Sequence, residues 1–127
     1  AMKQNGSGRL TSIDTSDNVP ICGKYMPIGW IVPDELKQNW VVHRGASQDI
    51  LPALTDDVDG FMHDSLHSEE NMLFEFGWAT AKLKKGGILM SDDIDLNQAW
   101  NEFFKKNKVF NPMIRTVTTG VSIRTDL

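Results

Sequence analysis

Apolar residues recur at helical spacing in two stretches of the chain. In SEENMLFEFGWATAKLKK (68–85), Met72, Phe76, Ala79 and Leu83 fall on one face, which predicts a helix. Ser68 stands ahead of it as an N-cap. Glu69 and Glu70 follow where the helix dipole favours acids, and lysines fill the last turn. Leu73, Phe74 and Trp78 make the other faces apolar as well, and Gly86-Gly87 is placed to stop the helix. The second stretch, DLNQAWNEFFKKN (95–107), carries Leu96, Ala99, Trp100, Phe103 and Phe104 as its core stripe, with Asp95 and Gln98 as a capping-box-like pair.

Shorter apolar runs read as strands at Leu10–Ile13, 40–45 (WVVHRG), 58–64 (VDGFMHD) and 88–93 (ILMSDD). Asn5-Gly6 and Ser7-Gly8 are turn signals ahead of the first strand. Residues 15–35 read as loop, punctuated by Pro20, Gly23, Pro27, Gly29 and Pro33, and PDELKQN as a short helical turn with Pro33 at its start. ASQDILPAL reads as a short helix with Ser47 or Asp49 as cap, Asp49 being preferred because it puts Pro52 in a first turn that needs no amide. The tail VFNPMIRTVTTGVSIRTDL has β-rich runs on either side of Thr119-Gly120, the pattern of a hairpin. Strands alternating with helices predict an α/β fold, with a mostly parallel sheet, helices on both faces and a C-terminal β-hairpin.

The 127 residues suffice for a single domain, 1–127, with one moderate core. A net charge of −4 without a basic stripe argues against nucleic acid or an anionic membrane as partner. Cys22 is the one cysteine, so no intrachain disulfide can form, which fits a reducing, cytoplasmic setting. No apolar run approaches the ~20 residues that span a bilayer. Ala1 ahead of Met2 leaves two readings, a remnant preceding the native start or a fragment of a longer chain.

In α/β sheets ligands bind beyond the carboxyl ends of the strands. Those ends carry Asp14, Gly45-Ala46-Ser47, His63-Asp64 and Asp92-Asp93. Asp64, Asp92 and Asp93 would form an acidic cluster, which a hard divalent cation would relieve. The plainer alternative is that Asp92 or Asp95 caps the next helix and Asp64 caps a turn. His63 and His67 bracket a strand-to-helix turn rather than sharing a helix face, so they suit a general base better than zinc. The alternative there is a histidine hydrogen-bonded at a helix start. His43, inside a strand, reads as structural.

The blocks GRLTSID, IGWIVPDEL, FMHDSLHSEENMLFEF and LKKGGILMSDDI together resemble the class I S-adenosylmethionine-dependent methyltransferases. The similar branch is the small-molecule O-methyltransferase group that includes cephalosporin-hydroxylase-like proteins. The resemblance implies a Rossmann-like fold and methyl transfer to a small-molecule hydroxyl. It implies that Asp14 binds the cofactor ribose, that Gly45, Ala46 and Ser47 line the adenine pocket, and that His63 adjoins the cofactor. It further implies Asp64, Asp92 and Asp93 as ligands of a divalent metal, Mg or Ca, and His67 as the base. Ala46 stands where the family commonly has an acid.

The family's opening strand and glycine-rich loop have no counterpart in these residues, so weak cofactor binding by this chain alone is expected. In the resembled fold that strand lies between Leu10–Ile13 and Gly60–His63, whose edges would be left unpaired. Such edges recruit further strands, and the helix over 69–84 is apolar on nearly every side. Both features predict a homo-oligomer. The competing reading is a catalytically inactive methyltransferase-like domain that serves as a binding or assembly module. A metal-dependent hydrolase is a third reading, with no specific motif behind it.

Overall fold

The computed structural model describes Gln4 and residues 6–125. Ala1, Met2 and Asn5 of the N-terminal readings lie outside the described residues. The chain forms two compact units, Ala1–Ile50 and Leu51–Leu127.

In the first unit, β1 (Leu10–Asp14) and β4 (Trp40–Arg44) pair in parallel, with Leu10 opposite Trp40 and Asp14 opposite Arg44. The stretch expected to be loop contains an antiparallel hairpin, β2 (Asn18–Ile21) and β3 (Lys24–Pro27). Its cause is local: Cys22 (φ 48°) and Gly23 (φ 75°) form a two-residue turn with both residues left-handed, the geometry whose twist matches paired strands. Asp34–Asn39 is a 3-10 helix that begins just after Pro33. The next helix, α1, spans Ser47–Ile50, with the Ala46 carbonyl accepting from the amides of Asp49 and Ile50. Asp49 is therefore inside the helix and not its cap. No described residue of this unit is fully buried.

In the second unit a 3-10 turn, Leu51–Ala53, holds Pro52. A four-stranded sheet follows, in the order β5 (Val58–His63), β6 (Leu83–Ser91), β8 (Gly120–Arg124), β7 (Phe110–Arg115). β5 and β6 run parallel, and the C-terminal hairpin adds two antiparallel strands beside β6. Helix α2 (Glu69–Lys82) makes the crossover between β5 and β6. Ser68 caps it as expected, its side chain accepting from the Asn71 amide at 3.3 Å. Met72, Phe76, Ala79 and Leu83 are all at most 1% exposed. Each large apolar side chain buried this way contributes about 1.5–3 kcal/mol.

The helix ends at Lys82, short of Gly86-Gly87, and Leu83 already pairs with Val58. Burial of Leu83 in the core favours the early exit, and the Arg124 guanidinium donates to the Thr80 carbonyl at 2.9 Å and to the Leu83 carbonyl. Helix α3 (Ala99–Lys106) starts four residues later than expected, and the Asp95/Gln98 box does not form. Asn97 Oδ1 accepts from the Ala99 amide at 2.8 Å instead. Leu96, in the turn before the helix, is exposed, while Ala99, Trp100 and Phe103 join the core.

Candidate functional site

The end of the four-stranded sheet is set by one row of partners: His63 opposite Ser91, Ser91 opposite Gly120, Gly120 opposite Arg115. Beyond that row the Asp92 amide donates to the His63 carbonyl at 3.0 Å, which ties the two turns together. Asp93 adopts φ 49°, and Ile94 donates to the Thr118 carbonyl at 2.8 Å, turning the chain away from the strand direction. His63, His67, Asp92 and Asp93 thus come to one edge of the unit.

His63 is fully buried, and its Nδ1 lies 2.6 Å from Glu75 Oε2. Glu75 Oε1 accepts from the Ser65 hydroxyl at 2.6 Å and from Asn71 Nδ2 at 3.0 Å. Asn71 Nδ2 also reaches Ser65 Oγ and the Leu66 carbonyl, each at 3.1 Å. The turn after β5 is therefore bolted to α2 by a buried polar network. His67 packs edge-on against His63, with ring centroids 5.0 Å apart. Its carbonyl accepts from Asn97 Nδ2 at 3.1 Å. His67 Nε2 has no hydrogen-bond partner, and the nearby Asp93 Oδ2 lies 3.8 Å away.

Glu75, Asn71 and Ser65 were missed in the sequence. The available signal was a polar pair, Asn71 and Glu75, at i and i+4 beside Met72 and Phe76 on an otherwise apolar helix. Two such residues next to a core stripe need partners within the core.

The expected metal triad is not assembled. Asp64 is exposed, Asp92 Oδ1 is engaged by the Thr119 hydroxyl at 3.2 Å, and Asp93 turns toward His67. Among the described residues no group of three or more His, Cys, Asp or Glu side chains is arranged to hold a metal ion.

The remaining candidates belong to the first unit. Asp14 ends β1, and its carbonyl accepts from the Gly45 amide at 3.0 Å, which brings Asp14 and the Gly45-Ala46-Ser47 turn together. Asp14 Oδ1 accepts from the Ser16 amide at 2.7 Å. Arg44 Nε lies 3.2 Å from Asp17 and its guanidinium donates to the Ser16 carbonyl, fixing the turn after Asp14.

A paired sheet-end row, an acid closing β1 and a crossover helix opening on HDSLHS coincide with a family model described as a methyltransferase domain, which matches residues 1–94. The chain belongs to the methyltransferase domain family. Its fold is that of the class I S-adenosylmethionine-dependent methyltransferases. An O-methyltransferase from Bacillus cereus solved in complex with SAH is similar at 14% identity and a TM-score of 0.71, covering 93% of this chain and 63% of that one. The O-methyltransferase TomG from Streptomyces achromogenes, solved with SAM, is similar at 16% identity and a TM-score of 0.60, covering 72% of this chain and 52% of that one. An rRNA methylase from Streptococcus thermophilus is similar at 13% identity and a TM-score of 0.69, covering 94% and 75%. Against the two O-methyltransferases the methyltransferase-domain chain spans between half and two-thirds of their length. No curated protein matches it. No helix among the described residues is long and apolar enough to cross a membrane.

Proposed function

We propose that this methyltransferase domain transfers the methyl group of S-adenosylmethionine to a hydroxyl of a small molecule, with His67 as the proton acceptor. The observation that supports the reading is the His67 imidazole at the sheet end, whose buried Nε2 has no hydrogen-bond partner. The family membership and the SAM- and SAH-bound structural neighbours support the cofactor.

The sulfonium cofactor supplies an electrophilic methyl whose sulfur leaves as a neutral thioether. A bound acceptor hydroxyl would take that methyl as the S–CH₃ bond breaks, and His67 would receive the hydroxyl proton. A positioned base of this kind contributes about 10²–10⁴-fold. Asp14, with one oxygen fixed by Ser16, suits the ribose hydroxyls, and the Gly45-Ala46-Ser47 turn suits the adenine side. Metal assistance through Asp64, Asp92 and Asp93 would lower the acceptor pKa. Among the described residues these three carboxylates are not gathered to hold a cation.

Chemical-shift titration of the labelled chain with S-adenosylhomocysteine tests cofactor binding and reads weak affinities. Binding that Asp14→Ala weakens by at least tenfold is expected; affinity unmoved by that change refutes the ribose assignment. Methyl transfer from labelled S-adenosylmethionine to a panel of small phenols and alcohols tests the chemistry. His67→Gln should lower turnover by about 10² or more. A folded chain with no binding and no turnover would favour the alternative, a non-catalytic binding or assembly module.

A further inference from the structure

Two observations stand outside the mechanism above. Glu75 and His63 are 2% and 0% exposed and meet at 2.6 Å. His63 Nε2, on the far side of the ring from Nδ1, is buried and without a hydrogen-bond partner. A buried polar couple is costly to desolvate and is kept only where its hydrogen bonds are well made. Here they are well made on one side only.

We propose that Glu75 is a positioning residue for His67, acting through His63. The carboxylate holds His63 in the form protonated at Nδ1. His63 Nε2 then remains as a buried acceptor in the ring that packs edge-on against His67. The assignment follows from the donors around Glu75. Ser65 Oγ donates to Oε1 at 2.6 Å and Asn71 Nδ2 at 3.0 Å. Two donors on Oε1 favour the ionised form of the carboxylate, which then accepts at Oε2, so the shared proton resides on His63 Nδ1. The orientation of the second ring nitrogen in such a pair is set by the bond the first one makes. The same network holds the segment bearing His67, because Asn71 Nδ2 also grips the Leu66 carbonyl at 3.1 Å.

This geometry gives an unusual outcome for the most conservative substitution. In Glu75→Gln the amide oxygen must stay where Oε1 is, since Ser65 and Asn71 both donate there. The amide NH₂ then faces His63 Nδ1 and donates to it. Nδ1 must lose its proton, and His63 switches to the form protonated at Nε2. The polarity presented beside His67 inverts with no change in side-chain volume. A role confined to packing would leave the protonation form unmoved.

The inference rests on His67 as the base only for its catalytic consequence; the protonation form is read without any substrate. Long-range ¹H–¹⁵N correlation spectra of the full chain distinguish a protonated from a bare ring nitrogen. The parent should show His63 protonated at Nδ1. Glu75→Gln should show His63 with Nδ1 bare, together with moved ring resonances of His67. Finding Nδ1 bare in the parent overturns the proposal without any variant, which covers the case in which Glu75→Gln fails to fold. A folded Glu75→Gln with unchanged His63 and His67 signals overturns it as well. If those signals behave as stated but His67→Gln retains turnover, the base assignment fails and the positioning of the two rings stands.

Discussion

Two glycine-to-alanine changes should act in opposite directions, by amounts the structure fixes. Gly77 lies on an exposed side of α2, and a Cβ built there meets nothing within 4 Å. Gly120 opens β8 in the sheet-end row, and a Cβ there would fall 2.3, 2.5 and 2.8 Å from Cζ2, Cε2 and Cη2 of Trp100. Carbon atoms in contact rest at ~3.5–4.0 Å, so the indole would have to withdraw by about 1 Å. It has nowhere to go: Trp100 is 3% exposed, 4.6 Å from the Phe104 ring and 5.8 Å from the Phe76 ring. Overpacking of this kind costs about 1–3 kcal/mol. Alanine in a helix interior instead gains roughly 0.5–1 kcal/mol over glycine. The two variants should therefore differ by about 2 kcal/mol or more, which is roughly 8 °C in Tm for a unit of this size. Urea and thermal unfolding, followed by circular dichroism and tryptophan fluorescence, measure both. A Gly120→Ala midpoint equal to or above the parent's would refute the packing argument, and a Gly77→Ala midpoint below it would refute the claim of open space.

Ser68→Ala removes the N-cap bond to Asn71 and should cost about 1 kcal/mol in urea unfolding; no loss would mean that another group caps α2. Among the described residues β1 pairs only with β4 and β5 only with β6, so each keeps an unpaired edge, and light scattering at low micromolar concentration should give a homo-oligomer. A clean 14.3 kDa monomer would refute that. The Glu102 carboxyl is held below its ordinary value of 4.5, first by the hydrogen bond from Lys105 and then by its charge. That contribution is present at neutral pH and fades as the pH falls below the ordinary value. Because the pair is exposed, Glu102→Gln should leave the midpoint at pH 7 nearly unchanged; a large drop would show that the pair is less screened than its position implies.

The elements with strong periodicity were legible in the chain. Met72, Phe76, Ala79 and Leu83 share a face because their spacing allows little else, and Ser68 caps where it should. The hairpin over 18–27 was hidden because its turn uses Cys22 rather than glycine or asparagine at the first left-handed position. The capping box at Asp95 was out-competed by Asn97, whose side chain reaches Ala99 while its amide holds His67. At the site, strand ends announced His63, Asp92 and Asp93. They did not announce how the carboxylates are spent, since that depends on Thr119, 26 or more residues along the chain, and on the left-handed turn at Asp93. Glu75 was the largest omission. A glutamate on a helix usually faces water, and only its partners in the folded unit show that this one does not.

The core residues all fall after Ile50, and the first unit reaches full burial nowhere among its described residues. Apolar burial is the main term that resists local opening, so the two units should differ in lifetime as well as in content. Amide protons of β1 to β4 should exchange with solvent long before those of β5, β6 and α2. A protease offered the intact chain should find its earliest cuts between residues 15 and 33 and leave a resistant piece that begins near Leu51. Ageing of this protein in solution would then run from its amino-terminal side inward, with the His63–Glu75 couple among the last groups to meet water.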